Sequence, residues 1–138
     1  MKMTLLRFLL MIDAIVLLLL GAAFMFAPRE VEAAFHFRDL PPAVSYLIGL
    51  WGCVFATLAI GYGVAATDPV RHVVWVQVGI ARGLLECIFG LVSLARGVVT
   101  LEQAIFGMIV AGLMTIAYLV LYPRAVVRAS APESRQPA

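Results

Sequence analysis

Four long apolar stretches, each close to the length of a bilayer crossing, constrain this chain more than any other feature. A spanning helix needs about 20 mostly apolar residues. Residues 5–26, 43–66, 73–95 and 104–122 each supply them. Breakers separate them: Pro28, Pro41 and Pro42 after the first, Asp68-Pro69 after the second, Arg96-Gly97 after the third, and Pro123 closing the fourth. Composition agrees. Of 138 residues, 64% are hydrophobic and 13% charged, against about 25% charged in ordinary soluble domains. A soluble globule of this size has too little interior to hide so much apolar surface. Disorder is excluded by the same numbers, and a disulfide-stapled secreted domain by there being two cysteines. The expected fold is all-α: an integral membrane four-helix, up-down-up-down bundle occupying residues 1–124.

Lys and Arg beside the spans set the orientation. Lys2, Arg7, Arg71, Arg124, Arg128 and Arg135 fall on one side, and Arg29, Arg38 and Arg96 on the other. The first side is therefore expected to be cytoplasmic, with both termini inside. The first span resembles a signal peptide in having Lys2 and Arg7 before an apolar run. The run is too long for that, and Asp13 interrupts it, so it is expected to stay as a span. In the loop after it, Val31, Ala34 and Phe35 share one helical face while Glu30 and Glu32 lie largely off it. That pattern predicts a short interfacial helix. Residues 125–138 read as a disordered cytoplasmic tail.

The third span carries the most information. On a helical wheel, Arg82, Glu86, Ser93, Gly79, Gly83, Gly90 and Gly97 fall within an arc of roughly 100°. Most of the remaining circumference is Leu, Ile, Val, Phe and Ala; Cys87 lies near the arc's edge and Gln77 is the polar exception. Such a helix has one face for protein and one for lipid. Spans associate by close packing and interhelical hydrogen bonds, so Gly79 and Gly83, a GxxxG pair, predict close approach of another backbone. Partner faces are expected on span two (Ser45, Gly49, Gly52, Cys53, Ala56, Thr57, Gly63) and on span four (Ala104, Gly107, Ala111, Thr115, Tyr118, Tyr122). Both are expected to meet the stripe of span three. Trp51, Phe55 and Tyr62 point away from the small face of span two, which predicts lipid-facing or interfacial anchors.

A charge at mid-span costs about 2.5–3.5 kcal/mol on insertion scales, so Asp13, Arg82 and Glu86 need partners. Arg82 and Glu86 are four residues apart on one helix and can meet. Asp13 lies about 12 Å, and Arg82 about 13–14 Å, in from the same side at about 1.5 Å per residue. The equal depth predicts a buried cluster of Asp13, Arg82 and Glu86, with Thr57 and Thr115 as hydroxyl partners. Arg stays charged; one proton shared between the two acids would leave the cluster neutral.

Several chemistries find no support. His36 and His72 fall on opposite sides of the membrane, so one chain cannot offer them to one haem. Neither has zinc-like neighbours, and no metal or cofactor is expected. Cys53 and Cys87 form no CxxC pair. There is no HExxH, GxSxG, phosphate-binding glycine loop or CxxCH. The net charge of +2 comes with no basic patch interleaved with aromatics, so nucleic acid is not an expected partner.

The hydropathy plan, the length and the run Arg82-Gly83-Leu84-Leu85-Glu86-Cys87-Ile88-Phe89-Gly90-Leu91 resemble small bacterial four-span proteins of the DoxX-like type. The resemblance covers most of the chain as a plan and about ten residues as a motif. In that family an intramembrane Glu followed by Gly is common, and some members are small subunits of quinone-linked membrane complexes. The resemblance thus implies a bacterial inner-membrane protein. Two functions compete. One is a non-catalytic protein acting through helix contacts, as an accessory subunit or homo-oligomer, with the buried charges fixing register. The other is a small proton-coupled transporter or quinone-site protein using the same charges. The first is preferred, because no polar chain links the three charges to both surfaces.

Overall fold

The computed structural model describes residues 2–37 and 41–123. Its elements in order are α1 (Lys2–Phe26), α2 (Pro28–Ala34), α3 (Pro42–Thr67), α4 (Val73–Ala95) and α5 (Leu101–Leu121), with no strand among the described residues. α1, α3, α4 and α5 are each long and apolar enough to cross a membrane. At most 28% of any of their apolar windows is buried. That much outward Leu, Ile, Val and Phe would aggregate in water, whereas lipid tails solvate it. The described residues are all-helical and fit a multi-pass membrane protein. The expected tail, residues 125–138, lies outside the described residues, as do Arg38 and Arg124.

Local chemistry sets the helix ends. Asp68 Oδ1 accepts from the Val70 and Arg71 amides, both at 3.2 Å, and this turns the chain between α3 and α4. At the end of α4, Gly97 takes φ +66°. Its amide donates to the Leu94 carbonyl and that of Val98 to the Ser93 carbonyl, each at 3.0 Å. This is a Schellman cap, which needs a left-handed residue. α5 starts three residues before the expected span, because Gln103 Oε1 accepts from the Thr100 amide at 2.8 Å and caps the extra turn.

The long helices form two antiparallel pairs. α1 packs chiefly on α3, and α4 on α5. Gly21 lies against Gly52 and Ala56, and the Phe24 carbonyl over Gly49. In the other pair Gly79 lies against Tyr118, Gly83 against Thr115 and Ala111, and Gly90 against Met108. The glycines work as spacers that let neighbouring helices approach closely.

The buried core sits at one end of the bundle. Leu6, Leu10 and Ala14 of α1 meet Ala59, Tyr62 and Ala66 of α3, Val76 of α4, and Tyr118 and Leu121 of α5. Towards the other end a cavity lies between the two pairs, lined by Phe24, Phe55 and Phe106 among others.

Four expectations need correction. The small face of span two meets α1 through Gly52 and Ala56, not the stripe of α4. Small residues admit any close neighbour, so a wheel finds the face and not its partner. Phe55 is half-buried and packs on Phe24 rather than facing lipid, and Tyr62 is fully buried rather than lipid-facing. It continues the inward row Gly52–Ala56–Ala59, and its ring packs on Trp75 and Tyr118 at 6.0 and 6.3 Å. Gly107 packs against nothing, since a Cβ there would have open space. Thr57 is exposed and its hydroxyl donates to the Cys53 carbonyl of its own helix, so it joins no charge.

Candidate functional site

Asp13 stands within one residue of the middle of the 25-residue α1. Arg82 and Glu86 flank the middle of α4 symmetrically. The structure brings all three together. Asp13 is 4% exposed. Its Oδ1 lies 3.4 Å from Arg82 Nη2, and its Oδ2 accepts from the Tyr118 hydroxyl at 2.8 Å. Arg82 Nε lies 3.4 Å from Glu86 Oε1, one helical turn along. The guanidinium carbon sits 5.5 Å from the centre of the Tyr62 ring, within the range of a cation–π contact.

The cluster therefore draws on three of the four long helices directly and touches the fourth through Tyr62. Thr115, expected as a hydroxyl partner, is buried nearby but donates to the Ala111 carbonyl at 2.7 Å. Its role is to fill the space left by Gly83. The tyrosines are what sequence reasoning missed. Tyr118 is expected on the inward face of its span but not on the charges. It lies one turn from Thr115, and its long side chain reaches Asp13 from a shallower position.

Satisfaction of the cluster is uneven. Both Asp13 oxygens have donors. Arg82 Nε and Nη1 and the Tyr62 hydroxyl are buried without an aligned hydrogen-bond partner. The guanidinium is thus held by charge and by the Tyr62 face more than by directed bonds. The Glu86 side chain is 46% exposed, and it lines two cavities.

One cavity, about 210 Å³, is lined by residues of all four long helices. Asp13, Arg82 and Glu86 form its polar end, and Phe24, Phe35, Phe55 and Phe106 its walls. Phe24 and Phe55 meet edge to face at 5.2 Å. The other cavity, about 280 Å³, lies between α4 and α5 and includes Glu86, Phe89, Ser93 and Met108. Beyond the wider end of the bundle, the His36 carbonyl accepts from Gln103 Nε2 at 3.3 Å, which straps the segment after α2 to the start of α5.

The remaining polar residues stand apart. Gln77 donates to the Tyr122 hydroxyl at 2.7 Å. Cys53 is exposed, and Cys87 Sγ lies 3.6 Å from the Met108 carbonyl. Among the described residues no three His, Cys, Asp or Glu side chains gather as a metal site would require. No family model, curated protein or solved structure matches the chain. The DoxX-like resemblance has no match behind it.

Proposed function

We propose that this is a non-catalytic integral membrane protein that works through helix contacts, as an accessory subunit or a homo-oligomer. The observation that carries the reading is Arg82 at mid-span, reaching Asp13 on another helix while Tyr118 holds the second oxygen of the same carboxylate. A charge at that depth is tolerated when paired, and a pair between helices fixes which faces meet and in what register. In this reading the four long helices cross a bacterial inner membrane in up-down-up-down order, with both termini cytoplasmic. α2 lies in the outer interface, with Phe35 turned towards the bundle. The bilayer is the principal partner, and a larger membrane complex or a second copy the next.

A second reading is a small proton-coupled transporter or quinone-site protein using the same cluster. The cavity that ends on the half-exposed Glu86 favours it. Glu86→Gln separates the two, since it keeps shape and hydrogen bonding while removing the ionisable group. If the protein acts through contacts, the variant loses yield or native mass, and no pH-driven flux exists in liposomes carrying either form. If it is a transporter, the variant folds and assembles normally but loses the flux seen with wild type.

A further inference from the structure

We propose that the cavity between the helix pairs binds a small apolar amine, with the Glu86 carboxylate as counter-ion and the aromatic walls around its body. This deepens the second reading by naming a ligand class, and it requires binding only, not transport.

Asp13 is spoken for: Arg82 approaches one oxygen and Tyr118 the other, and only 4% of the residue is exposed. Glu86 differs. Its contact with Arg82 runs through Oε1, nearly half of its side chain is exposed, and it lines both cavities. The guanidinium balances one of the two carboxylates, so the other needs either a proton or a second cation, and a protonated amine in the cavity supplies the second. In a low-dielectric site that balance matters more than it would in water. An anionic head would instead meet two carboxylates, and the Arg82 donors that lack partners are themselves buried.

The walls fix the rest of the ligand. Phe24, Phe35, Phe55 and Phe106 come from α1, the segment after α2, α3 and α5. Their faces suit an apolar body and tolerate a nearby cation. A volume of about 210 Å³ accommodates a small organic molecule and is below the usual range for drug-sized ligands, about 300–1,000 Å³. Gly107 completes the site, since it lines both cavities and has no neighbour where a Cβ would stand.

The test uses the full chain in lipid nanodiscs and three probes with one body and different heads: phenylbutylamine, phenylbutanol and phenylbutanoate. Saturable binding is measured by calorimetry against empty nanodiscs. The amine is expected to bind at least about tenfold more tightly than either analogue, the scale of one charge-assisted hydrogen bond. Gly107→Leu, which fills the cavity without touching a charge, is expected to abolish saturable binding while leaving the melting temperature unchanged or raised. Glu86→Gln is expected to bring the amine down to the level of the alcohol. Preference for the carboxylate would overturn the ligand class and leave a ligand site standing. Unsaturable uptake of all three probes, or undiminished amine binding in a folded Gly107→Leu protein, would remove the site altogether. Should Glu86→Gln fail to fold, Gly107→Leu alone decides.

Discussion

The two ends of the bundle are built from similar residues and reach opposite results. At the end where α3 turns into α4, Tyr62 and Tyr118 fill the space between the helix pairs, with Leu6, Leu10 and Val76 around them. At the other end Phe24, Phe55 and Phe106 line a cavity instead of filling it. Ring size does not explain the contrast; what the rings can touch does. Tyr62 meets Trp75 edge-on and Tyr118 at a tilt, and Tyr118 ends its hydroxyl on Asp13. The phenylalanines have no polar end, and only Phe24 and Phe55 meet each other. In lipid an apolar ring gains little by leaving the acyl chains for a protein interior, whereas a polar end gains a partner. A polar contact between the pairs therefore helps close one end, whereas the polar contacts at the other tie the segment around α2 to the starts of α3 and α5 and leave the cavity open.

The strongest way to break this comparison is to remove the charge that stands where the two ends meet. Arg82→Met leaves Asp13 buried and facing Glu86 without a cation. Loss of one member of a buried pair costs about 3–5 kcal/mol. Reversible unfolding in mixed micelles is expected to show a loss of that order. The double variant Asp13→Asn with Arg82→Met removes the stranded charge as well and is expected to recover about half of it. A single variant as mild as a lipid-facing substitution would mean that the cluster does not join the pairs.

Glycines sharpen the contrast further. A Cβ on Gly52 would come within 2.7 Å of the Gly21 carbonyl and of Met25 Cγ, so the α1–α3 seam would have to part. Gly52→Ala is expected to cost about 1–3 kcal/mol, the range of overpacked cores. Gly107, beside both cavities, faces open space. Gly107→Ala is expected to stabilise by about 0.5–1 kcal/mol through helix propensity alone. The same unfolding assay reads both. Equal effects would show that the pairs are no tighter within themselves than between each other.

How much of this the sequence revealed depended on whether the physics was local to one helix. The cost of a mid-span charge, together with depth along a regular helix, was enough to bring Asp13 to Arg82. Periodicity was enough to put Gly79 and Gly83 on a packing face. Partnering between faces was not legible. Gly52 and Ala56 suit any close backbone, and only the connectivity of the folded pairs assigns them to α1. Tyr62 was misread because an aromatic with a hydroxyl is equally at home at the membrane surface, and its burial depends on Trp75 and Tyr118 from two other helices. Thr57 was misread because a threonine hydroxyl in a helix can always turn to the carbonyl four residues back, as it does to Cys53.

The smallest expected effect concerns the strap at the open end. α2 and α4 finish with the same cap: a left-handed residue follows the helix, and its amide and the next fold back onto the last turn. At α4 the left-handed residue is Gly97, with φ +66°. At α2 it is His36, with φ +60°, its amide donating to the Ala33 carbonyl at 3.1 Å and that of Phe37 to the Glu32 carbonyl at 2.9 Å. A side chain in this conformation costs about 1–2 kcal/mol, part of which a glycine would return as greater freedom of the unfolded chain. His36→Gly is therefore expected to stabilise by about 0.5–1 kcal/mol, and Gly97→Ala to destabilise by about 1 kcal/mol. The histidine carbonyl, not its ring, accepts from Gln103, so the strap survives the substitution. A loss of stability in His36→Gly would mean that the imidazole itself holds the segment over the open end.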